Sequence, residues 1–497
     1  MVTVSLAAAG TLNVASTARA ADVSVLVVPR FPLGQYASEG AVGLLVPASG
    51  SSVTRAGALA SLKKGRAENA KLGGVPSGPD LIQLGRGPAA ITIYVSLPPP
   101  GRHSNRTRYP IAVVGGGYHG LLTSSSTRID GLVSIADIAP TAVALRNGDK
   151  PRLRSRADVE AVDDLEQLEH RFRRLHRSRV AANVTTFVAS YVLAALGLLV
   201  RSGLLTRSAL LVAPLVLLGG LALSAAGEAR PAVTWPLLSL LALAAVPLAG
   251  MLRGRRLGLA LASLLAVYLV TLVAWPDVPA LSVLGPYPEQ GGRFYGITNR
   301  VETLLLVPTL LGAALLGRGG LIGVGLLALV TTGWSRAGAD AGGILVLAAG
   351  LGVLALRSGR RRLTLRRLAP TAAAVVALGL ILVGLDALTG GSSHATSAVG
   401  SGPETLAEDW WHRLEISYHS LTSDWLTIFF SVGFVGGLVA VARARPRVPV
   451  LDALLVAIFV SLLFNDAPDD VVRYGVMAAA TLWAWLRVDE TEAGRLQ

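Results

Sequence analysis

The chain has 497 residues, 52% of them hydrophobic and 15% charged, with no cysteine and a formal net charge of +14. Soluble domains carry nearer about a quarter charged residues, so an ordinary soluble protein is excluded. The lack of cysteine excludes disulfides, thiolate zinc sites and cysteine nucleophiles. The positive charge does not mark a nucleic-acid binder, because many of the arginines sit in short loops between apolar runs rather than on one soluble face with aromatics.

At the start of the chain, the small-residue ending Ala18-Arg19-Ala20 makes residues 1–21 a candidate export signal, without the usual basic start. Residues 22–149 alternate between strand and helix patterns. Val23–Val28, Ile91–Val95 and Ile111–Val114 are β-branched runs of the kind buried strands require. Ala56–Lys64 reads as a helix capped by Thr54, and Ile135–Leu145 as another following Ser134. Gly115, Gly117 and Gly120 match GxGxxG after a strand, but Thr123–Thr127 reads as a polar loop and no amphipathic helix follows. A Gly-rich turn is the expectation there, not a dinucleotide site. Residues 150–183 form a charged linker, helical in its second half. Its cations Arg171, Arg173, Arg174, Arg177 and Arg179 either pair with Asp163, Asp164, Glu166 and Glu169 on a solvated helix or form a collar for anionic head groups.

Residues 184–488 contain about eleven apolar runs long enough to span a bilayer. They are 184–200, 208–226, 234–252, 257–275, 301–317, 319–333, 341–356, 369–388, 425–442, 449–465 and 471–487. One set of alternate loops, with the tail 489–497, is rich in arginine, as in Arg253, Arg255, Arg256, Arg357 and Arg360–Arg362. The opposite loops hold fewer: Arg230, Arg293, Arg300, Arg336, Arg413 and Arg473. The positive-inside rule then sets the C-terminus in the cytoplasm and residues 22–149 outside. The expected fold class is a polytopic α-helical membrane protein with a small N-terminal extracytoplasmic α/β domain, in a bacterial plasma membrane.

On the outer side, four segments put arginine beside carboxylate or imidazole. They are 291–302, 334–340, the long loop 389–424 with Asp409, His412, Arg413, Glu415 and His419, and the rim Asn465, Asp466, Asp469, Asp470 and Arg473. Guanidinium groups bind phosphate oxygens through a planar fork, so several at a membrane face suit a lipid-linked diphosphate. A nearby Glu or His could take a proton from an acceptor hydroxyl. Glu302 and Asp340 are the candidate acids, each next to an arginine segment, and no metal or cofactor is needed. Trp410 and Trp411 read as interfacial anchors.

Two family resemblances follow from these motifs. Ser124-Ser125-Ser126-Thr127-Arg128 and Gly131–Thr141 resemble a late strand-to-helix segment of the alkaline-phosphatase superfamily. That family places a metal-binding Asp where this first strand ends in Pro29-Arg30, and His103 and His119 are the domain's only histidines. The resemblance therefore implies a degenerate, non-catalytic domain. Arg293-x-x-Gly296-x-x-Asn299, Thr332–Gly338, His419-Ser420 and Gly433–Gly437 resemble the O-antigen ligase and polymerase superfamily of multi-span glycosyltransferases. The family's Asn-Pro-Asn is Thr298-Asn299-Arg300 here. The resemblance implies diphosphate contacts from Arg293, Arg336 and Arg413, with His419 by the acceptor. Tyr295, Asn299, Arg300 and His412 complete the expected substrate-binding set, and His419, Glu302 and Asp340 the catalytic one. The pairing of both halves is also similar to bacterial membrane proteins of unknown function.

Three functions stay open. One is a metal-independent glycosyl or oligosaccharide transferase acting on a lipid-diphosphate-linked substrate. Another is a transporter or flippase of an anionic envelope precursor, against which the spans offer few mid-membrane polar residues. The last is a non-catalytic scaffold or sensor with a pseudo-phosphatase ectodomain. The expected partners are the lipid bilayer and a lipid-linked glycan or anionic lipid, with no nucleic acid.

Overall fold

The computed structural model describes residues 22–67, 78–358, 424–465 and 467–489, with isolated positions at 373, 377, 381, 411, 414, 415, 417–419, 421, 422, 494 and 496. The candidate export signal and the expected span 369–388 lie outside the described residues, apart from Ala373, Ala377 and Ile381.

The N-terminal unit is built on a mixed sheet. Its strands are β1 (Val23–Val28), β2 (Gly40–Val46), β4 (Ile91–Ser96), β6 (Tyr109–Gly115), β7 (Gly120–Ser124), β8 (Leu132–Ser134) and β9 (Leu153–Arg156). The order is β1-β4-β6-β2-β7-β9, with β8 beside β2, and β3 (Ser52–Thr54) pairs separately with β5 (Arg102–Ser104). β1 and β4 run parallel, with Val25 opposite Ile93. β4 and β6 run antiparallel, as do β6 and β2.

Helix α1 (Arg55–Lys64) starts where the Thr54 hydroxyl accepts from the Gly57 N–H at 3.0 Å, and α2 (Ile138–Asn147) follows a turn opened by Ser134. Both helices cover one face of the sheet through Ala58, Leu62, Ile138 and Ala142, packed on Val25, Ile93 and Val113.

Two local expectations change. Gly120–Ser124 is a strand where Thr123–Thr127 reads as loop, and Leu153–Arg156 pairs with it. The sheet therefore continues past residue 149 into the charged stretch. Both strands are short and carry polar residues, so alternation gives little signal; backbone pairing holds them instead.

The helical half begins with α3 (Ala161–Leu199), one 39-residue helix that joins the linker to the first apolar run. It is followed by α4 (Gly203–Ala225), α5 (Pro231–Met251), α6 (Gly254–Ala274), a short α7 (Asp277–Ala280), α8 (Asn299–Gly333), α9 (Ala341–Ser358), α10 (Trp425–Arg443), α11 (Pro449–Phe464) and α12 (Pro468–Val488). Among the described residues, six helices are long and apolar enough to cross a membrane: α3, α4, α5, α6, α8 and α10. Apolar side chains left facing outward, such as Leu240, Leu243, Phe429 and Val432, fit a lipid surround. The expected runs 301–317 and 319–333 both fall in α8, whose helical backbone breaks at Gly317 (φ 70°, ψ −151°).

The α/β unit rests on the bundle. The other face of its sheet, through Val42, Leu44, Val46, Leu121 and Leu132, packs on Leu165 and Phe172 of α3 and on Ala280 and Leu281. Burying this apolar surface is the main driving force for docking. Asn105, fully buried, fixes the register by donating to Ala48 O and Gly50 O at 2.9 Å and to Gln290 O at 3.0 Å. Arg108 grips Glu169 of α3 through a two-pronged bond at 2.6 and 2.7 Å.

The arginine collar is neither fully solvated nor wholly turned outward. Arg171 donates to Ser224 O at 2.6 Å. Arg179, 2% exposed, pairs with Glu289 at 3.3 Å and stacks on the Tyr287 ring at 3.7 Å. These cations hold α3 to α4 and to the segment before α8.

Candidate functional site

The site lies where the α/β unit meets the bundle. Two loops, 291–298 and 334–340, run side by side there. Ile297 N–H donates to Gly338 O at 2.9 Å, and Asp340 N–H to Thr332 O at 2.9 Å. The contact requires glycine: Gly296 has φ +82°, and a Cβ there would meet Gly338 O at 2.2 Å. Helix α8 starts straight after the first loop, with the Thr298 hydroxyl accepting from Val301 N–H at 3.3 Å. Glu302 is therefore in its first turn, where the helix dipole favours an acid.

Four of the polar groups gather beneath these loops. Glu302 is 1% exposed and accepts from Asn465 Nδ2 at 2.8 Å through Oε2. The same amide nitrogen reaches Ser461 Oγ at 2.7 Å. Asp340, 5% exposed, forms an ion pair with Arg293 at 3.6 Å and accepts from Gly343 N–H at 3.3 Å. Arg293 also donates to Ala339 O at 3.4 Å. Both Asp340 and Arg293 act electrostatically on Glu302. A Cβ at Gly342 would meet Asn465 Oδ1 at 2.6 Å and Asp340 Oδ1 at 3.6 Å, so a bare backbone is what lets these two side chains approach. Three elements far apart in sequence thus build one buried polar cluster, an arrangement that in a membrane marks a pathway or a reactive site.

The other expected residues are placed differently. Arg300 is 6% exposed and committed to structure: it bonds both Asp470 oxygens at 3.1 Å, donates to Tyr287 Oη at 2.8 Å and lies over the Tyr474 ring. Asn299 is buried and its carbonyl accepts from Thr303 Oγ1 at 2.7 Å. Arg336 is exposed, and its carbonyl accepts from Arg128 of the α/β unit at 3.4 Å. Tyr295 lies under the same Arg128 guanidinium, 3.8 Å from the ring centroid. His419 is exposed, its ring edge-on to Tyr418. His412, Arg413, Asp409 and Asp466 lie outside the described residues.

Ser461 was not singled out from sequence, although it stands four residues before Asn465 on one helix face. Arg128 stood out only as the end of the phosphatase-like Ser124–Arg128 segment, and nothing local marks its contact with the membrane half.

In the α/β unit the GxGxxG stretch is a turn with Gly115, Gly116 and Gly117 all at positive φ. His103 and His119 bond carbonyls of their own turns, Pro100 O at 2.9 Å and Gly117 O at 2.8 Å. Asp137 is buried, accepting from Ser124 Oγ at 2.9 Å and from Ser126 Oγ. Burial raises its pKa against the lowering effect of those hydroxyls and of Arg152.

Fold and cluster together define a helical membrane protein that carries an α/β unit docked over a buried acid–guanidinium centre. No protein-family model, curated protein or solved structure matches the chain.

Proposed function

We propose that the protein is a cell-envelope transferase. It would move a glycosyl or oligosaccharide group from a lipid diphosphate to an acceptor hydroxyl at the outer face of a bacterial plasma membrane, with about eleven spans in all. The observation that carries this reading is the burial of Glu302 in one cluster with the Arg293–Asp340 pair, directly below the docked α/β unit. Glu302 is the acid–base group in this scheme. Asp340 orients Arg293, whose side chain is one-third exposed. Arg293 and Arg336, from adjoining loops, neutralise the departing diphosphate.

The distribution of charge supports the orientation. Arg207 pairs with Asp489, and Arg357 and Arg447 pair with Asp452, all at the bundle end away from the α/β unit. That end is the cytoplasmic one by the positive-inside rule.

The experiment is transfer from a labelled polyprenyl-diphosphate sugar in proteoliposomes. Arg293→Lys, Arg336→Lys and Glu302→Gln should abolish transfer while insertion and folding survive. Full activity in Arg293→Lys and Arg336→Lys together would remove the diphosphate clamp.

A second reading, a non-catalytic scaffold or sensor, is favoured by one observation. Arg128 ties the α/β unit to both loops of the site, so a ligand on that unit would be felt at the buried cluster. Under that reading the variants above leave function intact, and Arg128→Ala abolishes it.

A further inference from the structure

Three arginines of α3 share the face that its apolar stripe turns outward. Val180, Val184, Val188, Val192 and Leu196 are exposed and recur every three or four residues, which sets them along one side of the helix. Arg173 and Arg177 continue that spacing toward the N-terminus, Arg174 lies on the same side, and all three are exposed. The change from guanidinium to valine falls between Arg177 and Val180, within one helical turn. Neighbouring elements mark the same depth. Ser178 donates to Ala229 O at 2.7 Å just before α5, whose Trp235 is exposed. Arg171 feels the charge of Asp277, which follows the exposed Trp275 at the end of α6. Exposed tryptophans at the ends of apolar helices sit at the level of lipid head groups. Arg173, Arg174 and Arg177 therefore occupy that level at the bundle end that bears the α/β unit.

Their charge is not spent within the protein. Nearby acids are engaged by other cations: Glu169 by Arg108, Glu289 by Arg179 and Glu228 by Arg230. Glu166 precedes Arg173 by two helical turns, about 10 Å along the axis, and Asp163 and Asp164 lie further back. Arg173 donates to His170 Nδ1 at 3.2 Å, a neutral contact. Arg106 of the α/β unit is exposed and close enough to act electrostatically on His176, so it adds a fourth cation to the patch. Among the described residues, none of Arg106, Arg173, Arg174 and Arg177 forms an ion pair.

We propose that Arg173, Arg174 and Arg177, with Arg106, bind the phosphodiester head group of an anionic phospholipid whose acyl chains lie along the stripe from Val180 to Leu196. Guanidinium forks suit phosphate oxygens, and basic side chains at the membrane surface attract anionic lipids. The lipid contacts both α3 and the α/β unit, so it ties one to the other. This rests on α3 and Arg106 and not on the transferase reading.

The test uses the full chain in phosphatidylcholine nanodiscs carrying a trace of phosphatidylglycerol with a diazirine near the top of one acyl chain, cross-linked by light and mapped by mass spectrometry. Labelling should concentrate at residues 177–188 and be competed by unlabelled phosphatidylglycerol but not by extra phosphatidylcholine or inorganic phosphate. Arg173→Gln with Arg174→Gln and Arg177→Gln should lower it about tenfold. These side chains are exposed, so the thermal midpoint in detergent should stay unchanged. Arg253→Gln with Arg255→Gln and Arg256→Gln, at the opposite end of the bundle, should leave labelling at 177–188 intact. Equal labelling by a phosphatidylcholine probe overturns the proposal, as does labelling unchanged in the α3 triple variant. Competition by inorganic phosphate overturns it too and assigns the patch to a soluble anion. If the triple variant loses its fold, Arg106→Gln alone decides: a fall in labelling supports the proposal and no change overturns it.

Discussion

Arg128 of the α/β unit lies over the ring of Tyr295 in the membrane half, 3.8 Å from its centroid, and donates to Ser335 O at 3.0 Å. One side chain therefore touches both loops that carry the buried cluster. Arg128 itself has φ +53°, unusual for a non-glycine residue, and the docking contacts offset the cost of that backbone.

Arg128→Ala should loosen the docking by about 1–3 kcal/mol, the sum of a cation–π contact and the carbonyl bonds. Hydrogen exchange in residues 291–298 and 334–340 should accelerate, with the sheet core unchanged. Arg128→Lys should not restore protection, because an ammonium cannot stack and fork at once.

Arg300 and Asp470 form a buried pair, and removing one partner leaves the other charged in an apolar setting. Asp470→Ala should destabilise the bundle by roughly 3–5 kcal/mol. Arg300→Met with Asp470→Leu should recover much of that loss. Thermal unfolding in detergent reads both. Equal damage from the single and double variants would contradict the assignment of Arg300 to structure.

The strand runs, the Thr54 and Ser134 starts and most of the apolar helices were legible because burial imposes a period or a run length on the sequence. The clustering of Glu302 with Asp340 and Arg293 was only partly legible. Each residue could be flagged as a charge beside an apolar run, but nothing local says that 293, 302, 340 and 465 converge. Arg300 illustrates the reverse. Its place in the motif suggests a ligand contact, yet Tyr287, Asp470 and Tyr474 saturate it, and those partners come from segments before α8 and from α12. Arg179 reads as a cation for the acids of its own helix or for lipid head groups for the same reason, since its partner Glu289 lies 110 positions away in the chain. Long-range pairing leaves no periodic trace.

Gly342→Ala should disturb the cluster more than its size suggests. The new methyl would meet Asn465 Oδ1 at 2.6 Å, so the amide must move and its bond to Glu302 with it. The expected cost is about 1–3 kcal/mol, and transfer should fall at least tenfold. Gly323→Ala, where a Cβ meets no neighbour, should leave both stability and transfer within error.

Asp137 gives the α/β unit a signed pH response. Its folded pKa is raised above the ordinary value of 3.8 by burial. The stability it contributes is full below the unfolded value and is lost as pH rises through the folded value. Corrected protection factors for β7 and α2 in the full chain should therefore decline from acid pH upward. Asp137→Asn should flatten the decline. A rise with pH would reverse the sign.

The most direct test of the transferase account is where a substrate sits. A photoactivatable polyprenyl-diphosphate sugar, cross-linked in proteoliposomes and mapped by mass spectrometry, should label residues 291–302 and 334–340, with labelling competed by unlabelled lipid diphosphate and lost in Arg293→Ala. Labelling spread along the lipid-facing helices, uncompeted and equal in Arg293→Ala, would contradict a substrate site at Arg293 and Glu302.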